Sequence, residues 1–141
     1  MHYGNSAIKR GIPLAMGLLY ASNPEYTLLD TLSKYSHDSD AHVAVNAIFA
    51  MGLLGSGTNN ARLGQILRQL VLYYHKDPQC SLAVRIAQGL TQFAKGTVTL
   101  NPYRGNRRLL MPAALAGLLS VVIAFTEAKE CKLFMPLCTS C

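Results

Sequence analysis

Charged residues are scarce in this chain, at 14% of 141, while half of its residues are apolar. Such a composition supports a buried core and argues against a disordered segment. The length allows one compact domain or a few units of a repeat protein. The basic excess, a formal charge of +6, is dispersed from Lys9 to Lys132, and only Arg104, Arg107 and Arg108 form a cluster. No dedicated nucleic-acid face is therefore expected. A disulfide framework is also lacking. Of the four cysteines, Cys131, Cys138 and Cys141 crowd the last eleven residues and Cys80 stands alone, so a reduced compartment is expected. The first residues, MHYGNSAIKRG, have no apolar core of the kind a secretion signal needs. No motif combines a nucleophile, a base and an orienting group, so no enzyme is expected and no cofactor is called for.

What the chain does contain is a recurrence. Ala15-Met16-Gly17-Leu18, Ala50-Met51-Gly52-Leu53 and Ala87-Gln88-Gly89-Leu90 share one pattern, and Leu115-Ala116-Gly117-Leu118 keeps its last two positions. The repeat glycines Gly17, Gly52, Gly89 and Gly117 are spaced 35, 37 and 28 residues apart, a period that predicts stacked helical repeats. Glycine inside a helix costs about 1 kcal/mol relative to alanine. Close backbone approach to the next repeat is the benefit expected to offset it.

The elements follow from the periodicity. Ile8 to Tyr20 reads as an apolar helix with Pro13 near its start; Asn23-Pro24 then reads as a cap-plus-proline start signal, followed by an amphipathic outer helix, Glu25 to Tyr35, with Leu28, Leu29, Leu32 and Tyr35 on one stripe. Ser36 to Asp40 offers caps for a helix around Gly52 that has no polar face, so it should be buried on all sides. From Asn60 to Tyr74 the residues Leu63, Ile66, Leu67, Leu70, Val71 and Tyr74 form one stripe. Arg62, Gln65 and Arg68 face away from it and are candidate partner-facing residues. Asp77-Pro78 signals another start, and Ser81 to Phe93 is the third inner helix, closed by Lys95 and Gly96. Thr97 to Pro102 is expected to be an extended loop in place of an outer helix. It would leave Arg104, Arg107 and Arg108 exposed as a second candidate partner-facing set. Leu109 to Phe125 then reads as a buried helix on the repeat register, short for a membrane span. Residues 126–141 read as an irregular tail, whose Cys138-x-x-Cys141 is half a zinc site at best.

Three local patterns invite chemistry and are read as structural. The inter-helix turn Gly55-Ser56-Gly57-Thr58 lacks the lysine and the preceding strand of a phosphate loop. His37, Asp38, Asp40 and His42 match no metal-ligand spacing. His75, Asp77 and Cys80 span a helix end and the next cap.

DTLSKYSHDSD (Asp30 to Asp40), NAIFAMGLLGSGTNNARL (Asn46 to Leu63), LRQL (Leu67 to Leu70) and VRIAQGLTQFAKGTVTLNPY (Val84 to Tyr103) carry a resemblance. Together they resemble the proteasome/cyclosome repeat region of the non-ATPase regulatory subunit 2 family of the 26S proteasome, over roughly Ile8 to Phe125. GSGTNNARL is far more specific than the glycines. The resemblance implies an all-α fold, an α-solenoid segment of a toroid built from helix-turn-helix repeats. Residues 1–125 would form about three and a half units, near the minimum for a repeat array. It also implies a non-catalytic scaffold of the regulatory particle base, in cytoplasm and nucleus, that contacts the ATPase ring and other regulatory particle subunits. The family's full subunit receives ubiquitin and ubiquitin-like domains through earlier repeats, so no receptor residue carries over to this chain. Neither nucleic acid nor membrane is an implied partner. Beyond about Thr126 the family pattern ends, which fits a fragment, an alternative end or a misassigned reading of the gene. The competing readings are an unrelated HEAT-like or TPR-like adaptor, and a small membrane protein using residues 109–125.

Overall fold

The computed structural model describes residues 6–104 and 108–126. In these, the chain is all-α apart from one short ladder. The helices are α1 (Ser6–Leu19), α2 (Tyr26–Tyr35), α3 (Ala41–Leu54), α4 (Ala61–Tyr73), α5 (Pro78–Thr91) and α6 (Pro112–Thr126). Two-residue strands β1 (Tyr103–Arg104) and β2 (Leu109–Leu110) pair antiparallel, Tyr103 opposite Leu110.

The inner layer is α1, α3 and α5 side by side, with α3 in the middle. Its position follows from its sequence: twelve consecutive residues, Val43 to Leu54, are buried, as a helix without a polar face requires. The outer layer is amphipathic. α2 packs on α3 through Leu29 and Leu32, and α4 packs on α5 through Leu63, Leu67 and Leu70. Asp40 caps α3 by accepting the His42 amide at 3.1 Å, and Asn60 caps α4 by accepting the Arg62 amide at 3.0 Å.

The Ala-x-Gly-Leu motif assigns one direction to each of its positions, because successive helical residues turn by about 100°. Alanine and glycine, two residues apart, face opposite neighbours. A Cβ on Gly17 would stand 2.9 Å from the Ala50 Cα, and one on Gly52 would stand 2.8 Å from the Ala87 Cα. The x position enters the core shared with the outer helices, where Met51 is buried and Met16 packs against it. On α5, which no outer helix follows, that position is the half-buried Gln88. The motif leucines face the other way, and Leu53, Leu90 and Leu118 meet in a second apolar cluster with Leu14 and Phe49.

Four details differ from the sequence reading. α1 begins at Ser6, so Pro13 lies mid-helix, where it has no N–H for the Lys9 carbonyl; its ring is fully buried and supplies apolar contact instead. α2 starts after Glu25 and not at Asn23-Pro24, because Ser22 turns left-handed (φ 60°) and the Asn23 amide closes onto the Tyr20 carbonyl. α5 ends at Thr91, and Ala94, Lys95 and Gly96 all take left-handed φ. The largest difference is α6. It does not continue the inner layer as a buried repeat helix but lies against α1, across the leucine face, with Leu119, Val121 and Ile123 exposed. The reason lies in the motif. Leu115 stands where alanine would seat on Gly89, and a contact that holds Cβ sites within 3 Å has no room for leucine. Gly89 and Gly117 accordingly have nothing within 4 Å of a Cβ position.

The two outer helices are tied by Tyr74, at the end of α4, whose buried hydroxyl donates to the Ser36 carbonyl at the end of α2. Burial first, then the charges of Cys80, Tyr73 and Asp77, push its pKa up to about 12. A phenol that ionises less readily when folded contributes stability that is whole below about pH 10, the unfolded value, and lost as pH rises toward 12. Tyr74→Phe should therefore be less stable than the parent by about 1 kcal/mol at pH 8, from the lost hydrogen bond. Urea titrations at increasing pH should show that gap closing between pH 10 and 12. A gap that stays constant would mean Tyr74 ionises normally.

Candidate protein interface

The expected partner-facing residues fall on two separate surfaces. Arg62, Gln65 and Arg68 are all exposed on the outer face of α4. Arg62 is engaged within the fold: its guanidinium donates to Asp30 on α2 at 3.2 Å and lies 5.4 Å from the centre of the Tyr26 ring. Both members of this ion pair are more than half exposed, so it contributes little to stability and mainly aligns the outer helices. Gln65 and Arg68 are left directed outward.

The second surface lies on the opposite side, where α6 crosses the inner layer. There a groove of about 700 Å³ runs between α3, α5, the loop before β1 and α6. Phe49, Leu53, Ile86 and Leu90 form its floor and Leu118 and Val121 one wall, with Arg104 at the rim. Arg108 is exposed on the same hairpin, and Arg107 lies outside the described residues, as do the tail cysteines. No sequence signal singled out this groove. Its floor comes from the motif leucines and from the residues three places before each motif glycine, a common direction visible once the motif is read as helix geometry.

The backbone amides of the inter-helix turn are all committed to structure. The amides of Gly55, Ser56, Gly57, Thr58 and Asn59 donate to the carbonyls of Met51, Leu53, Leu90, Gly55 and Thr91. None of them remains to cradle a phosphate. Two of these bonds, from Gly57 and Asn59, bind the turn to the last residues of α5. Gly57 takes φ +68°, and Ser56 is completely buried with its hydroxyl unpaired.

The acidic turn before α3 is likewise structural. Desolvation pulls the Asp40 carboxyl up, but the His42 amide and the Arg10 guanidinium outweigh it and hold the pKa below the ordinary value. The Arg10 contact, at 3.1 Å, joins α1 to the start of α3, and Asn46 adds a bond from its amide to the Arg10 carbonyl at 2.9 Å. His37 stacks edge-on against Tyr73, and His75 sits 3.2 Å from the Leu72 carbonyl. Cys80 is buried, and burial, with Asp77 behind it, pushes its thiol pKa up, away from the reactive thiolate. Among the described residues no three of His, Cys, Asp and Glu gather in a metal-binding group, and no helix is long and apolar enough to cross a membrane.

No family model matches the chain. Curated proteins do. It is 57% identical over 130 residues to the 26S proteasome regulatory subunit rpn-1 of Neurospora crassa, which covers 92% of this chain and 14% of that protein. It is 59% identical over 129 residues to the 26S proteasome regulatory subunit rpn1 of Schizosaccharomyces pombe, with the same coverage of each. It is 50% identical over 130 residues to the 26S proteasome non-ATPase regulatory subunit 2 homolog B of Arabidopsis thaliana, covering 92% of this chain and 15% of that protein. The chain thus spans about one seventh of the length of the curated relatives it matches.

Proposed function

The chain belongs, over 92% of its length, to the family of 26S proteasome regulatory subunit Rpn1, or non-ATPase regulatory subunit 2, and from that premise we propose that it is a non-catalytic scaffold segment of the regulatory particle base. The relatives' names describe regulatory, non-ATPase subunits. The observation that carries the reading is the inner layer. One Gly-on-Ala contact, made at Gly17 and again at Gly52, holds three helices in fixed spacing, while α2 and α4 turn a polar face outward. On this reading the layer would be a segment of an α-solenoid, in which each unit buries its neighbour's core.

The work of the segment is then positional. Gln65 and Arg68 on α4, with Arg104 and Arg108 on the inner side, are the side chains offered to partners, namely the ATPase ring and neighbouring regulatory particle subunits. Recognition of ubiquitin and ubiquitin-like domains belongs to the longer family subunit. The family compartments, cytoplasm and nucleus, go with this reading. The test is capture of the tagged chain from a cell extract, with identification of co-purifying proteins by mass spectrometry. Proteasomal ATPases and other base subunits are expected, and their recovery should fall with Gln65→Ala/Arg68→Glu. Recovery of chaperones alone would refute a docking role for this segment.

A further inference from the structure

α5 stops a turn earlier than its composition requires. Ala94 and Lys95 are strong helix formers, yet both take left-handed backbone, at φ 49° and φ 54°, ahead of Gly96 at φ 82°. Glycine bears that conformation freely; for the other two it is costly. Burial does not hold them there, since residues 92–99 are all exposed.

The cause lies in the turn after α3. In a continuing helix the Ala94 amide would donate to the Leu90 carbonyl and the Lys95 amide to the Thr91 carbonyl, each four residues back. Those are the two carbonyls to which the Gly57 and Asn59 amides donate, at 3.1 and 3.2 Å. The Lys95 amide turns instead to the Gln92 carbonyl, at 3.0 Å. The two strained residues are thus the two whose helical acceptors the turn has taken. Further on, the chain is fastened at Leu100, whose amide donates to the Ser22 hydroxyl at 2.9 Å and whose side chain packs on Leu14, Phe49 and Leu53.

We propose that the end of α5 is a two-state latch on the groove. In the closed state, that of the structure, the turn amides hold the Leu90 and Thr91 carbonyls, and Thr99, Leu100 and Asn101 line the groove. In the open state the Ala94 and Lys95 amides take those carbonyls, α5 runs on through Lys95, and Gly96, already left-handed, ends it. Leu100 is then drawn off the groove, and more of Leu53 and Leu90 is uncovered. Two hydrogen bonds are exchanged for two. Relief of two left-handed residues is set against the lost packing of Leu100, the opposition that a bistable element needs. The latch rests on backbone geometry within the chain and does not depend on the proteasomal reading.

Amide exchange and backbone chemical shifts, read by nuclear magnetic resonance on the whole chain, test it. The amides of Gly57, Asn59 and Leu100 should exchange through one shared opening, ahead of the α4 amides around Leu67. Ala94→Gly/Lys95→Gly removes the left-handed penalty from the closed state and weakens the helix of the open one. It should slow exchange at all three amides by about tenfold or more. Ser22→Ala frees the Leu100 amide and should act in reverse, speeding exchange at Gly57 and Asn59 while the Cα shifts of residues 92–95 move toward helical values. That helical gain separates a latch from a loop that merely frays. The latch is overturned if the glycine pair leaves exchange at Gly57 and Asn59 unchanged, if Ser22→Ala brings no helical shift at Ala94 and Lys95, or if the three amides exchange only together with α4.

Discussion

Gly52→Leu should lose about 3 kcal/mol or more of stability, the upper end of what overpacking costs. For a chain of this size that lowers Tm by roughly 10 °C, read by circular dichroism on heating. The magnitude follows from which atoms are in the way. The first added carbon already meets the Ala87 Cα at 2.8 Å and its Cβ at 2.9 Å, and a leucine carries three more carbons into the same gap. A backbone cannot rotate aside as a side chain can. α5 would have to withdraw from α3, yet its last turn is held to the α3 turn by the Gly57 and Asn59 amides. Gly64→Ala is the matched control: Gly64 is helical, on α4, with nothing within 4 Å of a Cβ position, so alanine there should raise stability by up to about 1 kcal/mol. Opposite signs for two glycine substitutions in one chain are expected only if position in the packing, and not helix propensity, decides. A Gly52→Leu chain that melts with the parent would mean α3 and α5 are not in backbone contact.

The same distinction explains what could be read before the structure. The all-round apolarity of α3 and the stripe of α4 are local facts, because helical burial repeats within a few residues, and both helices lie where that reading puts them. The direction of α6 is not local. It depends on Leu115 replacing the motif alanine and on a loop in place of an outer helix, and neither matters until Gly89 is known to need an alanine. Asn23-Pro24 misleads for a comparable reason. Ser22 is drawn into tertiary bonds, its amide to the Leu53 carbonyl and its hydroxyl from the Leu100 amide, and these shift the start of α2 past the proline. Arg62 was legible as facing away from the stripe of α4, but not as a partner of Asp30, since an outward-facing residue shows nothing of the helix beside it.

Gly57→Ala is expected to cost about 3 kcal/mol, of which 1–2 kcal/mol is the left-handed backbone that an L-residue would have to adopt at φ +68°. The remainder is steric, because a Cβ at Gly57 would overlap the Val98 carbonyl oxygen, which belongs to backbone and has no rotamer to yield. Gly55→Ala separates the two terms. There φ is −88°, and the added carbon would meet side chains, the Leu63 Cδ2 and the Thr91 Cγ2, and no backbone atom, so the left-handed backbone cost is absent and the loss should be smaller. The consequences of Gly57→Ala should also be localised. Val98 precedes Thr99 and Leu100, which help to bound the groove, and the Leu100 amide is fixed by the Ser22 hydroxyl at 2.9 Å. Pushing Val98 away therefore loosens the groove before it loosens the core. Hydrogen exchange should show faster exchange at the amides of positions 57, 59 and 100, with the amides of α4 around Leu67 keeping their protection. If Gly55→Ala proves as costly as Gly57→Ala, or if the amide of Leu100 is unaffected, the turn does not anchor the loop, and the groove owes its shape to α6 alone.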